Sequence, residues 1–74
     1  MNKHSIIIFG HKTSLSLEKE FWEELKILAQ EEKTSLTKLI EKIDGLREGN
    51  LSSSIRVYVL NALKNKVINN KASQ

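Results

Sequence analysis

Residues His11-Lys12-Thr13-Ser14-Leu15-Ser16-Leu17 alternate. Thr13, Leu15 and Leu17 fall on one side of an extended chain and Lys12, Ser14 and Ser16 on the other, the period of two shown by a half-buried strand. From Glu18 the period becomes helical. Between Glu18 and Glu32, Phe21, Leu25 and Leu28 share one face, which Trp22 and Ala29 widen. Lys33-Thr34-Ser35 breaks this helix. Ser35 then suits the N-cap of a second helix, from Leu36 to about Arg47, with Leu36, Leu39, Ile40 and Ile43 inside. Gly45 and Gly49 end it. Asn50 or Ser52 caps a third helix reaching about Val67. That helix is apolar at Leu51, Ile55, Tyr58, Val59, Ala62 and Leu63, and is broadened by Val57, Leu60 and Val67. Ile68 to Gln74 has no pattern and reads as a frayed end, so the domain is assigned to residues 1–68 and a flexible tail to 69–74. Ahead of the strand, Ile6-Ile7-Ile8-Phe9 is strand-like by β-branching, and Gly10 interrupts it as a bulge or turn. This run extends a ribbon or covers an edge of the core. Met1 to Ser5 reads as a loose end.

A lone strand cannot satisfy its backbone donors and acceptors. Unless the run before it folds back, the simplest partner for residues 11–17 is the same strand of a second copy, forming a two-stranded ribbon. Lys12, Ser14 and Ser16 would then appear twice on one exposed face. The width of the third helix's apolar face and the shortness of the chain, 74 residues, point the same way. A domain of this size buries little apolar surface alone, and oligomerisation enlarges its core.

The chain has no cysteine, which excludes disulfides and thiolate metal sites and fits a reducing compartment. His4 and His11 have no paired carboxylates nearby and make a poor metal site. There is no nucleophile–base constellation and no glycine-rich phosphate loop, so we expect no enzyme, no catalytic residues and no cofactor. Ile6 to Phe9 is far short of the roughly 20 apolar residues that span a bilayer. The expected location is the cytoplasm, with no membrane partner.

Net charge is +3, and its distribution is uneven. Residues 18–32 carry six acids against two lysines, whereas no acid precedes Glu18 and none follows residue 49. A phosphate-bearing partner would therefore approach the strand side, not the outer face of the first helix.

The wording Gly10-His11-Lys12-Thr13-Ser14-Leu15-Ser16-Leu17-Glu18, followed by Phe21-Trp22-Glu23-Glu24-Leu25, resembles the short stand-alone bacterial ribbon-helix-helix proteins of the MetJ/Arc repressor superfamily. So does the later stretch Asn50-Leu51-Ser52-Ser53-Ser54-Ile55-Arg56-Val57-Tyr58-Val59. The resemblance covers roughly residues 5–63. It implies a mostly α fold of order β-α-α with an additional C-terminal helix. It also implies an obligate, intertwined homodimer whose intermolecular antiparallel ribbon enters the DNA major groove. By position, Lys12, Ser14 and Ser16 would contact bases. The start of the second helix would hold a phosphate through the amides of Ser35, Leu36 and Thr37, with Lys33 and Lys38 beside them. The family often has glycine where Lys33 stands. The implied dimer core is Leu15, Leu17, Phe21, Trp22, Leu25, Leu39 and Ile43.

The implied function is a transcriptional regulator, a repressor, whose partners are double-stranded DNA and itself, with further pairing of dimers on DNA. The alternative is an antitoxin or other interaction module that holds a toxin through residues 51–74, although the third helix is patterned as a folded helix rather than a disordered arm.

Chemically, Lys12 brings three donors for guanine O6 and N7 or for a phosphate. Ser14 and Ser16 discriminate bases weakly but let the backbone approach the groove floor. His11 has two readings, at the ribbon edge near DNA or bonded to backbone near Gly10. Trp22 reads as core. Arg56 has three candidate partners: Asp44, Glu48 or DNA.

Overall fold

In a computed structural model the chain forms β1 (Asn2–Ile8), β2 (His11–Leu17), α1 (Lys19–Glu31), α2 (Leu36–Leu46) and α3 (Leu51–Ala72). Residues 2–46 and 49–72 are described, with 68–72 as backbone alone. Arg47 and Glu48, at the expected end of the second helix, lie outside them.

β1 and β2 pair antiparallel, from Ile8 opposite His11 to Asn2 opposite Leu17. The two-residue turn between them, Phe9 and Gly10, has φ of 50° and 79°. Two successive left-handed residues make a type I′ turn, whose twist matches that of the strands it joins. Gly10 adopts this conformation freely; Phe9 does so under strain. The Phe9 amide donates to a Glu41 carboxylate oxygen at 2.8 Å, which fastens the turn to α2.

An antiparallel two-stranded ribbon is thus present, formed by β1 and β2 of one chain through a tight turn. One correction concerns the N-terminus. Asn2 to Ser5 is not a loose end but the first half of β1, paired with residues 14–17. His4, which the sequence left without a role, stacks on Trp22 with ring centroids 3.8 Å apart and planes 6° from parallel.

The inner face of the hairpin presents Ile8, Leu15 and Leu17 to a core completed by Leu25, Leu28, Ala29, Leu39, Ile40, Ile43, Ile55 and Val59. Of the residues expected in a dimer core, Leu15, Leu17, Leu25, Leu39 and Ile43 are buried by their own chain, while Phe21 and Trp22 are partly buried at its margin.

α1 ends in a Schellman motif. The Lys33 amide donates to the Gln30 carbonyl and the Thr34 amide to the Ala29 carbonyl, which requires a left-handed residue between helix and loop. Lys33 supplies it at φ 56°. This is the position where the resemblance implies glycine, and the geometry gives the reason. Lys33→Gly should therefore stabilise the domain by about 0.5–1 kcal/mol, the relief of side-chain strain less the added freedom of the unfolded chain. A thermal melt should register this as a rise of roughly 2–8 °C.

α3 acts as a clamp on the strand-to-helix junction. Asn50 caps it, its Oδ1 accepting from the Ser53 amide at 3.3 Å. Within the first turn, Ser52 Oγ donates to the Ser16 carbonyl at 2.8 Å. Ile55 and Val59 fill the core beneath. Arg56 takes a partner outside its candidate set. Its guanidinium forks onto Glu18, Nε to Oε1 at 2.8 Å and Nη2 to Oε2 at 3.2 Å. The helix runs on past Val67 to Ala72, through residues read from the sequence as patternless.

The Arg56 hydrogen bonds hold the Glu18 carboxyl below its ordinary value. A carboxyl lowered in the folded state adds stability above its unfolded pKa and loses it as pH falls through the folded pKa. Urea midpoints should accordingly fall as pH drops below the ordinary glutamate value of about 4.3, and Glu18→Gln should flatten that acid limb.

At the far end of α1, Glu32 accepts from the Tyr58 hydroxyl and from Lys42, and Glu31 pairs with Lys66 at 2.7 Å. Burial and the Glu32 carboxylate push the Tyr58 phenol up, so it stays protonated as the donor. Much of the acidity of α1 is therefore spent inside the fold.

Candidate nucleic-acid interface

In an antiparallel pair, directly opposed residues share a face and alternate along each strand. The outer face of the hairpin therefore consists of Lys12, Ser14 and Ser16 from β2 opposite Ile7, Ser5 and Lys3 from β1. The three residues expected from the sequence are brought together there. All six are exposed except Ser16, which is half-buried. Lys12 has no carboxylate partner among the described residues, so its ammonium is free for a ligand.

The β1 half of the face, Lys3, Ser5 and Ile7, went unrecognised in the sequence. The signal that finds it is the turn at Phe9-Gly10. Once that turn fixes the register, each outward position of β1 follows by counting. With Lys3 and Lys12 on the face and no acid before Glu18, the face is cationic throughout. Its relief is uneven. The serines form a low middle, Ile7 and Lys12 stand at the turn end, and Lys3 stands at the other. His11 lies on the opposite side of β2 from Lys12, in line with Thr13 and Leu15, and so is not on this face.

The second candidate element is the start of α2. Ser35 caps it as expected, its Oγ accepting from the Lys38 amide at 3.1 Å, while the Ser35 carbonyl takes the first helical bond from Leu39. That leaves the amides of Leu36 and Thr37 pointing out of the helix end without partners among the described residues. A helix terminus with open amides favours anions. Lys33, Ser35, Thr37 and Lys38 are exposed around it, while Leu36 turns its side chain onto the core. The two elements meet in a groove of about 410 Å³ lined by Ser5, Ile6, Ile7, Lys12 and Thr37. A rod-shaped polyanion lying on the hairpin would thus meet lysine and hydroxyl groups along the strands and open amides at one side.

No helix among the described residues is long and apolar enough to cross a membrane. No curated protein and no solved structure matches the chain. The sequence model of the ribbon-helix-helix domain matches residues 1–63, from β1 into the middle of α3. That span includes both strands, α1, α2 and the half of α3 that grips the ribbon, and the chain belongs to the ribbon-helix-helix domain family.

Proposed function

We propose that the protein is a sequence-specific, DNA-binding transcriptional regulator of the cytoplasm that acts as a repressor and works as a homodimer. The observation that carries this reading is the cationic outer face of the hairpin. It is two strands wide, low in the middle and free of carboxylates, with the open amides of α2 beside it. The major groove admits a two-stranded ribbon. Lys12 would donate to a guanine or a phosphate, Ser14 and Ser16 would contact base edges, and the start of α2, with Lys33 and Lys38 nearby, would hold a flanking phosphate. Two copies would read two half-sites and so favour a repeated or palindromic operator.

The test is selection of fragments from the source genome at two salt concentrations, with Lys12→Ala alongside. The expected result is enrichment of a short repeated site, lost in the variant. Affinity should fall as salt rises, with a log–log slope of about 0.9 per neutralised phosphate. Retention that is blind to sequence and indifferent to Lys12→Ala would overturn the reading.

A second reading, an antitoxin or other interaction module, is favoured by one observation. Val57, Leu60 and Val67 are each more than half exposed along one side of α3. Under that reading Leu60→Ser abolishes neutralisation of a co-expressed neighbouring toxin while DNA affinity is unchanged.

A further inference from the structure

We infer that a second copy of the chain docks along α3. The two third helices lie antiparallel, Leu60 of each against Lys64 of the other, and each Lys64 ammonium reaches the partner subunit's Glu20 and Glu24. The inference deepens the reading of the protein as a homodimer and rests on it, and it names a contact between copies outside the strands.

Two surfaces carry it, and each has what the other lacks. The first is the outer side of α3. Val57, Leu60 and Val67 are each more than half exposed, and Lys64 is exposed in line with them. These four positions are spaced three, four and three residues apart, the repeat by which two helices pack seam to seam. Lys64 has no carboxylate partner among the described residues, and no acid follows residue 49. The stripe is therefore apolar and cationic.

The second surface is the groove between α1 and α3, about 180 Å³, lined by Glu20, Phe21, Glu24, Val59 and Leu63. The apolar side chains make its floor, and the two glutamates, one turn apart on α1, make its rim. Other acids of α1 are spent within the fold. Glu23 faces Lys19, Glu31 pairs with Lys66, and Glu32 with Lys42. Glu20 and Glu24 have no cation among the described residues. An apolar groove rimmed by free carboxylates repels DNA and suits an apolar helix that carries a lysine. The α3 stripe of a second copy is such a helix.

The register follows by counting. In an antiparallel pair centred on position 62, Val57 meets the partner's Val67 and Leu60 meets the partner's Lys64. No other centring pairs all four stripe positions. Leu63 is the neighbour of Leu60 on the helix surface, three residues on. A lysine laid over Leu60 covers it with its stem and carries its head past Leu63 to the rim where Glu20 and Glu24 wait. The two-fold repeats the contact, so each copy gives one lysine and receives one.

The full-length chain has no cysteine, so cross-linking tests the register directly. In Val57→Cys/Val67→Cys the two sites of one chain lie about 15 Å apart along the helix, too far for a disulfide within it. Mild oxidation should convert this variant to a covalent dimer on a non-reducing gel. Either single variant should stay largely uncoupled, because each position faces the other one. In the doubly substituted background, Lys64→Glu should slow cross-linking about tenfold, since like charges then face each other. Glu20→Lys with Glu24→Lys should do the same, and the three reversals together should restore the rate. Circular dichroism of every variant checks that the fold is intact. Suppose sedimentation shows a dimer, but the single variants couple as fast as the double one, or charge reversal changes nothing. The inference is then overturned while the homodimer reading stands. If the wild-type protein sediments as a monomer, the homodimer reading falls and takes the inference with it.

Discussion

Lys12→Ala should weaken binding to the selected operator at least tenfold while leaving the melting temperature unchanged. The two halves of this expectation have separate causes. Lys12 stands on the outer face of β2, exposed, with no ion pair among the described residues. Nothing in the fold depends on its charge, and an exposed substitution of this kind changes stability by no more than about 0.5 kcal/mol. On DNA the same ammonium is the strongest donor of its strand, because Ser14 and Ser16 offer only single hydroxyls. A good contact to a guanine edge is worth roughly 1–3 kcal/mol, so its loss from each copy costs a factor of about ten or more. Lys12→Arg separates charge from geometry. If Lys12 acts on a phosphate, arginine substitutes well and the salt slope is kept. If it reads a guanine edge, the longer planar fork shifts the preferred sequence. Titrations at two salt concentrations, with melting curves of the same samples, measure all of this.

That experiment targets the part of the surface most legible in the sequence. The alternation of residues 11–17 marks one strand and its outward row without any knowledge of the fold, because a strand's two faces are set by local geometry alone. The helices are legible for the same reason. Phe21, Leu25 and Leu28, and then Leu39, Ile40 and Ile43, are spaced for one face each, and Ser35 announces the cap that the Lys38 amide uses.

β1 is harder to see because its pattern is blurred on both sides. Asn2 and His4 put polar groups on its inner face, and Ile7 puts an apolar one on its outer face. The turn carries Phe9 where asparagine or aspartate would advertise a hairpin, so only Gly10 hints at it. Half of the candidate DNA-binding face stays hidden with that turn. Arg56 and Glu18 are a different case. They lie 38 residues apart, and no local periodicity can pair a side chain on the last helix with the residue ahead of the first. The stretch beyond Val67 is helical without an apolar stripe, which a reading based on amphipathicity cannot detect.

The largest effect on the fold is expected from Leu17→Ala. Leu17 is the last residue of β2, fully buried, and sits where the strand hands over to α1. Around it, Ser52 holds the Ser16 carbonyl and Arg56 holds Glu18, so the backbone on both sides is pinned to α3. A pinned site cannot collapse to fill a vacated volume, and truncating a fully buried leucine costs about 2–5 kcal/mol when the surroundings stay in place. A single hydrophobic core in a chain this short rarely supplies more than about 3–5 kcal/mol in all. Leu17→Ala should therefore be largely unfolded at room temperature, with loss of helical circular dichroism and of DNA binding together. Leu17→Ile, which keeps the volume, should cost less than about 1.5 kcal/mol and stay folded. Operator DNA distinguishes this loss from that of Lys12→Ala. Because DNA binds only the folded protein, an excess of it should restore helical signal to Leu17→Ala by mass action. Lys12→Ala, folded from the start, should gain little from the same addition. Recovery in neither variant would mean that the buried junction and the outer face of the hairpin are not part of one DNA-binding unit.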